Sequence, residues 1–375
     1  MTTLFGFLIS FIGIAATIEI AARIYFRQHF GIPFRSRMIG EYPYNSFIKM
    51  VPSPLHYRFV KGFRSKMVKI NRFGCRGPEP APTGEKKRLL LIGESNFFGV
   101  KLHRESEVWD ARLQALLRRF GDHNWEIINA GNPTYNSNQH RLYWESEIAA
   151  VKPDIVLFCI GFNDLSQAWM MGSKWTSETV WPEKFIMALE RKIPFTKHLL
   201  GSFCSYLLLR RASSERQGFP RWDEDFKWQR CLSQIDDNYC ALNDLGKAQG
   251  AQVAIIINSF AYDPEPSPTE ARRLEGIQAN WHTFFTERGI YDRALVDEIR
   301  KISGKLEIPC IDLLGSLAHN PRRHELYFDM AHFNDAGMRV VARTLYHEIE
   351  KLGWWKAEKS RAKGQIEQIE QKKET

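Results

Sequence analysis

Five short apolar runs recur along this chain from residue 88 onward, each followed by a stretch with helical spacing, and this alternation admits few folds. The first run, Arg88-Leu89-Leu90-Leu91-Ile92, is apolar without alternation, as expected of a strand buried on both faces. Further strand candidates fall at 125–129, 154–160, 252–258 and 307–311. Between and after them lie helical patterns at 105–119, 136–150, 227–249, 270–288, 292–304 and from about Asp335 to Leu352. In the stretch 105–119 the apolar residues Val108, Leu113, Leu116 and Leu117 share one face. Strand-helix alternation of this kind predicts an α/β domain with a parallel sheet and helices on both of its faces.

Charge separates the front of the chain from this domain. Residues 1–87 hold fourteen Lys/Arg and four Asp/Glu, a balance of +10 within a total of +9, so the remaining 288 residues sum to −1. A nucleic-acid binder carries its basic surface on the folded domain, so nucleic acid is not an expected partner. The basic excess instead adjoins an apolar segment, where it suits either attraction to anionic lipid or a solvated basic linker. From Leu4 to Ile18 there is no charge, and the run continues to Phe26, broken by Glu19 and Arg23, which are spaced to pair on a helix. About 20 such residues span a bilayer. Residues 1–28 are therefore expected to form a transmembrane anchor that meets membrane lipid through residues 4–26. A cleaved leader is the alternative, but no basic side chain precedes the run and no small-x-small site follows it. Arg23, Arg27, Arg35 and Arg37 follow the anchor, and the positive-inside rule then favours a cytoplasmic domain.

Residues 29–87 read as a basic juxtamembrane segment ending in a linker, Gly77 to Lys87, with a strand at Ser65–Ile70 and a turn at Asn71–Gly74. The main domain then runs over 88–352. Residues 165–226 form an insertion with Trp169, Trp175, Trp181 and Trp222 and an apolar stretch, Leu199–Leu209, ending in Arg210-Arg211. It reads as a packed helix, with a lid or a lipid-touching surface as the alternative. The tail 353–375 mixes Lys, Glu and Gln with no apolar face. Cys159, Cys204, Cys231, Cys240 and Cys310 look like packed positions, and none of the six cysteines has disulfide or metal-ligand spacing. His319 and His324 complete no metal pattern, so neither a metal nor another cofactor is expected.

Four short segments carry chemistry, each at a strand end or in a loop. Ser95, in Gly93-Glu94-Ser95-Asn96, follows the first strand in a tight turn into a helix, whose free N–H groups favour negative charge. Alone it would be an N-cap. Gly131, in Asn129-Ala130-Gly131-Asn132, allows close backbone approach, so its N–H can face a substrate oxygen; alone it would be a turn residue. Asn163, in Gly161-Phe162-Asn163-Asp164, supplies a side-chain amide, or caps the next helix. Asp329 and His332, three residues apart before the final helix, suit a base and the carboxylate that fixes its tautomer, or a capping pair. Together they make up a nucleophile, oxyanion donors and an oriented base for acyl transfer.

In their order and context these segments resemble an SGNH hydrolase of the GDSL esterase/lipase superfamily, over roughly residues 86–352. The resemblance implies a flavodoxin-like three-layer α/β/α sandwich. It makes Ser95 the nucleophile and His332, oriented by Asp329, the base, with an oxyanion hole from Ser95 N–H, Gly131 N–H and the Asn163 side chain. The usual Asp before the nucleophile is Glu94 here. Asn132-Pro133-Thr134-Tyr135-Asn136 extends the second segment in a way similar to anchored bacterial members. The expected protein is a single-pass esterase of the bacterial inner membrane acting on an acyl ester of a carbohydrate or lipid. The alternatives are an O-acyltransferase working with a membrane acyltransferase partner on an envelope polysaccharide, and a non-catalytic scaffold. The scaffold is disfavoured because every site residue is present.

Overall fold

A computed structural model describes residues 47–171 (apart from 53, 66 and 103), 228–260, 282–317, 320, 322–328 and 331–355, with residues 10, 13, 14 and 16–24 near the start. The chain divides into two compact units, Met1–Arg58 with Thr179–Phe226, and Phe59–Glu178 with Lys227–Thr375. In the smaller unit residues 16–24 are helical, and Arg23 Nε donates to Glu19 Oε1 at 2.9 Å, the pairing expected from their spacing. Among the described residues no helix is long and apolar enough to cross a membrane; the rest of the segment 4–26 lies outside them.

The larger unit is an α/β fold whose five parallel strands are flanked by helices. In chain order the elements are β1 Lys87–Gly93, α1 Ser95–Phe98, α2 Trp109–Arg119, β2 Trp125–Gly131, α3 Ser137–Ser146, β3 Ile155–Cys159, α4 Phe162–Met171, α5 Trp228–Ala248, β4 Gln252–Ile257, α6 His282–Leu306, β5 Cys310–Asp312, α7 Leu313–Leu317 and α8 Asp335–Lys351. The strands lie side by side in the order β2-β1-β3-β4-β5. Alternate residues of β1 explain why the run had to be apolar throughout. Leu89 and Leu91 join a core with Trp109, Leu113 and Leu117 of α2 and Val341, Leu345 and Ile349 of α8. On β3, Phe158 packs the opposite face, edge-on to Tyr239 of α5 and tilted against Trp144 of α3. Burying each of these side chains stabilises the fold by roughly 1.5–3 kcal/mol.

Register decides where the strands stop. Gly93 lies opposite Gly131 on one side and Cys159 on the other. Three strands thus end level, and the segments after them emerge together at the carboxyl edge. Chain order reverses about β1, so β1 and β3 flank a switch point, where open parallel sheets bind ligands.

Several expectations are corrected. The described part of the helical patterns at 270–288 and 292–304 forms one helix: α6 runs unbroken from His282 through Gly289, because a glycine costs a helix interior only about 1 kcal/mol, and residues 270–281 lie outside the described residues. Cys310 is exposed where β5 forms the sheet's edge. The stretch Gly77–Lys87 is held to the domain, with Ala81 N–H donating to Glu126 and Ala81 O accepting from Arg72 and Arg88. Arg88, the first residue of the apolar run, is itself buried, paired through Nε with Glu126 at 2.7 Å. Trp175, Trp181, Trp222, Leu199–Leu209 and the tail from 356 onward lie outside the described residues.

Candidate active site

Beyond Gly93 the chain makes one extended residue, Glu94, and turns directly into α1, which is only four residues long. Ser95 is its first residue and is half-buried; among the described residues its backbone N–H has no hydrogen-bond partner. Its Oγ lies 2.9 Å from His332 Nε2, a contact between residues 237 positions apart. The His332 loop is pinned on both sides. Phe328 N–H donates to His332 O at 2.8 Å, and the Tyr327 and Phe333 rings stack at 4.6 Å. Tyr327 Oη is 2.8 Å from Ser259 Oγ beyond the end of β4, and Asn334 caps α8. Asp329 lies outside the described residues.

Asn163 is the second residue of α4, which follows β3 at the carboxyl edge of the sheet. Its Nδ2 donates to Tyr135 O at 3.0 Å, which leaves the second N–H of that amide to point elsewhere. Its backbone is tied to the Ser95 turn: Glu94 Oε1 accepts from Gly161 N–H at 2.9 Å and Asn163 N–H at 3.0 Å. The carboxylate beside Ser95 thus holds the segment carrying the amide. Sequence reasoning left Glu94 without a task.

Gly131 is placed differently from expectation. Its N–H donates to Asn129 Oδ1 at 2.9 Å. A side chain at Gly131 would come within 2.7 Å of Phe98 Cα, so the glycine lets β2 pack against α1. Thr134 is exposed with φ of 68°, a left-handed conformation that costs a non-glycine residue on the order of 1–3 kcal/mol. Gln167 Nε2 holds Thr134 O at 2.8 Å.

A second carboxylate braces the same corner. Asp164 is fully buried and accepts from Ser137 N–H at 2.8 Å and Ser137 Oγ at 2.6 Å, while Asn238 donates to Ser137 Oγ at 2.9 Å. Burial pushes the Asp164 carboxyl up to about 6, against the opposing pull of the Ser137 bonds. The only sequence signal was an acid set between Asn163 and Leu165. An acid whose native pKa exceeds the unfolded value near about 4 contributes stability that is full below that value and lost as pH rises through about 6. Asp164→Asn is therefore expected to flatten the pH dependence of stability between about pH 4 and 6, by on the order of 2–3 kcal/mol across the window. Thermal midpoints of both proteins over a pH series check this; parallel curves would refute it.

No group of three or more His, Cys, Asp or Glu among the described residues is arranged to hold a metal ion. Geometrically the site joins a hydroxyl, an imidazole, one free backbone N–H and one amide N–H at the carboxyl edge of a parallel sheet. Such a set can carry a proton from hydroxyl to imidazole and hold a developing oxyanion.

Comparison with known proteins gives a family match. The profile described as the GDSL-like lipase/acylhydrolase family covers residues 91–340. No curated protein matches. Among solved structures, a lipase/acylhydrolase from Enterococcus faecalis is similar at 15% identity and a TM-score of 0.45, covering 73% of this chain and 100% of its own. An acetylxylan esterase from Geobacillus stearothermophilus is similar at 16% identity and a TM-score of 0.43, covering 74% of this chain and 99% of its own.

Proposed function

This chain belongs to the GDSL-like lipase/acylhydrolase family and is a hydrolase acting on ester bonds, and we propose that it is a membrane-anchored serine esterase that removes an acyl group from a carbohydrate or lipid. The observation that carries this reading is the 2.9 Å contact between Ser95 Oγ and His332 Nε2. His332 Nε2 takes the Ser95 proton as Oγ attacks the ester carbonyl. The tetrahedral oxyanion is received by Ser95 N–H and the second N–H of Asn163. Gly131, the third donor implied by the resemblance, gives its N–H to Asn129, so the proposed hole has two donors. Collapse expels the alcohol, which takes the proton back from His332 and leaves acyl-Ser95. Water then attacks with His332 again as base, the acyl–Oγ bond breaks, and Ser95 Oγ takes the proton back from His332 as the acid leaves. Asp329 is assigned the task of holding Nδ1–H, which keeps Nε2 free to accept.

The fold is read as the flavodoxin-like three-layer sandwich, supported by the strand order 2-1-3-4-5 and the helices on both faces. The anchor reading rests on the uncharged segment Leu4–Ile18 and the basic residues after it, which suit the anionic surface of the bacterial inner membrane.

One experiment tests chemistry and anchoring together. Carbonate-washed membranes from cells producing the full chain are labelled with a fluorophosphonate, and the adduct is mapped by mass spectrometry. The expected adduct is on Ser95, in the membrane pellet. A folded protein without an adduct would sink the serine mechanism, and an adduct found only in the soluble fraction would sink the anchor.

A further inference from the structure

Four residues make a helix that cannot satisfy its own carbonyls, since the last turn of any helix leaves them without intrahelical partners. For α1 this matters because its first residue is Ser95. Its last carbonyls are met from outside. Phe97 O accepts from Trp109 Nε1 and Asn129 Nδ2, each at 2.8 Å. Phe98 O and Gly99 O both accept from one nitrogen, Arg76 Nη1, at 2.7 and 2.9 Å.

Arg76 is only 1% exposed. Its Nη2 donates to Met67 O at 3.0 Å, its Nε to Glu105 Oε1 at 3.2 Å, and its backbone N–H to Asn129 O at 3.0 Å. The guanidinium also lies 5.1 Å from the centre of the Phe98 ring. A fully buried cation is a costly way to fill space. What it supplies is a planar fork that bonds several carbonyls at once, and a positive charge at the carboxyl end of the helix, where the helix dipole favours one. α1 also rests against Gly131, which leaves no room for a side chain. The nucleophile helix is thus held by contacts from β2 and from Arg76, which is itself tied to β2 through Asn129 O.

From this geometry we infer that Arg76 is a positioning residue for the nucleophile: it fixes α1 so that Ser95 Oγ meets His332 Nε2, and the segment around it is part of the active centre. Arg76 lies outside the stretch 91–340 that matches the family. The inference rests on the reading of Ser95 as the nucleophile.

The test compares wild type, Arg76→Gln, Arg76→Lys, Arg76→Ala and Glu105→Gln in the full-length, detergent-solubilised chain, well below each thermal midpoint. Two quantities are read: the rate of fluorophosphonate labelling at Ser95, and kcat and KM on a chromogenic ester. Wild-type labelling at Ser95 checks the nucleophile reading by itself; its absence overturns that reading before any variant is compared. Arg76→Gln is expected to lower kcat and the labelling rate about 100-fold with KM nearly unchanged, the loss that about 1 Å of misplacement produces. Arg76→Lys, which keeps the charge but not the fork, is expected to recover only part. In Arg76→Ala, guanidinium ion added at non-denaturing concentration is expected to raise the rate, and urea is not. Glu105→Gln changes a partly exposed partner, keeps the fold, and is expected to lose several-fold in kcat. A brace with only a structural role would lower the thermal midpoint and leave kcat per folded molecule at the wild-type level in both Arg76→Gln and Glu105→Gln. That result overturns the inference, and Glu105→Gln decides by itself if the Arg76 variants do not fold.

Discussion

Ester turnover by the Ser95→Ala protein is expected to fall by about 10⁶-fold, and His332→Ala is expected to cost nearly as much. The two losses should not add. Oγ at 2.9 Å from Nε2 is a single device: without the imidazole the hydroxyl keeps its proton, and without the hydroxyl the imidazole has nothing to activate. The double variant is therefore expected to match either single one, each keeping the residual rate that oxyanion donors and binding supply. Steady-state hydrolysis of a chromogenic short-chain ester, with folded protein verified by its thermal transition, gives the three rates. Undiminished turnover in Ser95→Ala would remove the nucleophile assignment. A double variant as slow as the product of the single effects would show that the two side chains act separately. Asp329→Asn belongs to the same series, since a carboxylate on Nδ1–H acts only through the imidazole.

The second large effect is expected at Asn163. Losing one preorganised oxyanion donor costs about 10²–10³ in kcat, and Asn163→Ala should lie in that range with KM little changed. The argument for a kcat effect is geometric. One Nδ2 hydrogen is committed to Tyr135 O and the backbone to Glu94, so the amide is held in place before substrate arrives. Preorganised donors lower the transition state more than the bound ester, because negative charge appears on the oxygen only there. Asn163→Asp keeps the shape, cannot donate, and sets a negative charge beside the oxyanion; it should be slower than Asn163→Ala. If Asn163→Ala raised KM and left kcat alone, the side chain would be a substrate contact and the hole would need another donor.

How much of this was legible varies from residue to residue. The strands were, because Leu89–Ile92 and Ile155–Cys159 are buried on both faces and so must be apolar at every position. The pairing of Glu19 with Arg23 was legible because helical spacing is local. Gly131 stood out as a glycine in the right segment, but composition does not say which atom a glycine makes room for; here it is the backbone of Phe98. Glu94, Asp164 and Arg76 gave no usable signal. Glu94 reaches a backbone N–H 67 residues away, and the Arg76 guanidinium reaches carbonyls 22 and 23 residues away, across elements with no common periodicity.

The sequence by itself determined the alternation of strands and helices, the segments at the strand ends and the residue types they carry, because burial and turn chemistry are properties of neighbouring residues. Only the tertiary structure decided that Ser95 and His332 touch, that two buried carboxylates hold the Asn163 corner, and that a buried arginine bonds the carbonyls at the end of the Ser95 helix. Those contacts follow from strand order and register, which bring Gly93, Gly131 and Cys159 level. No local pattern encodes which strand will lie beside which, so the partners of a side chain become defined only once the sheet has formed.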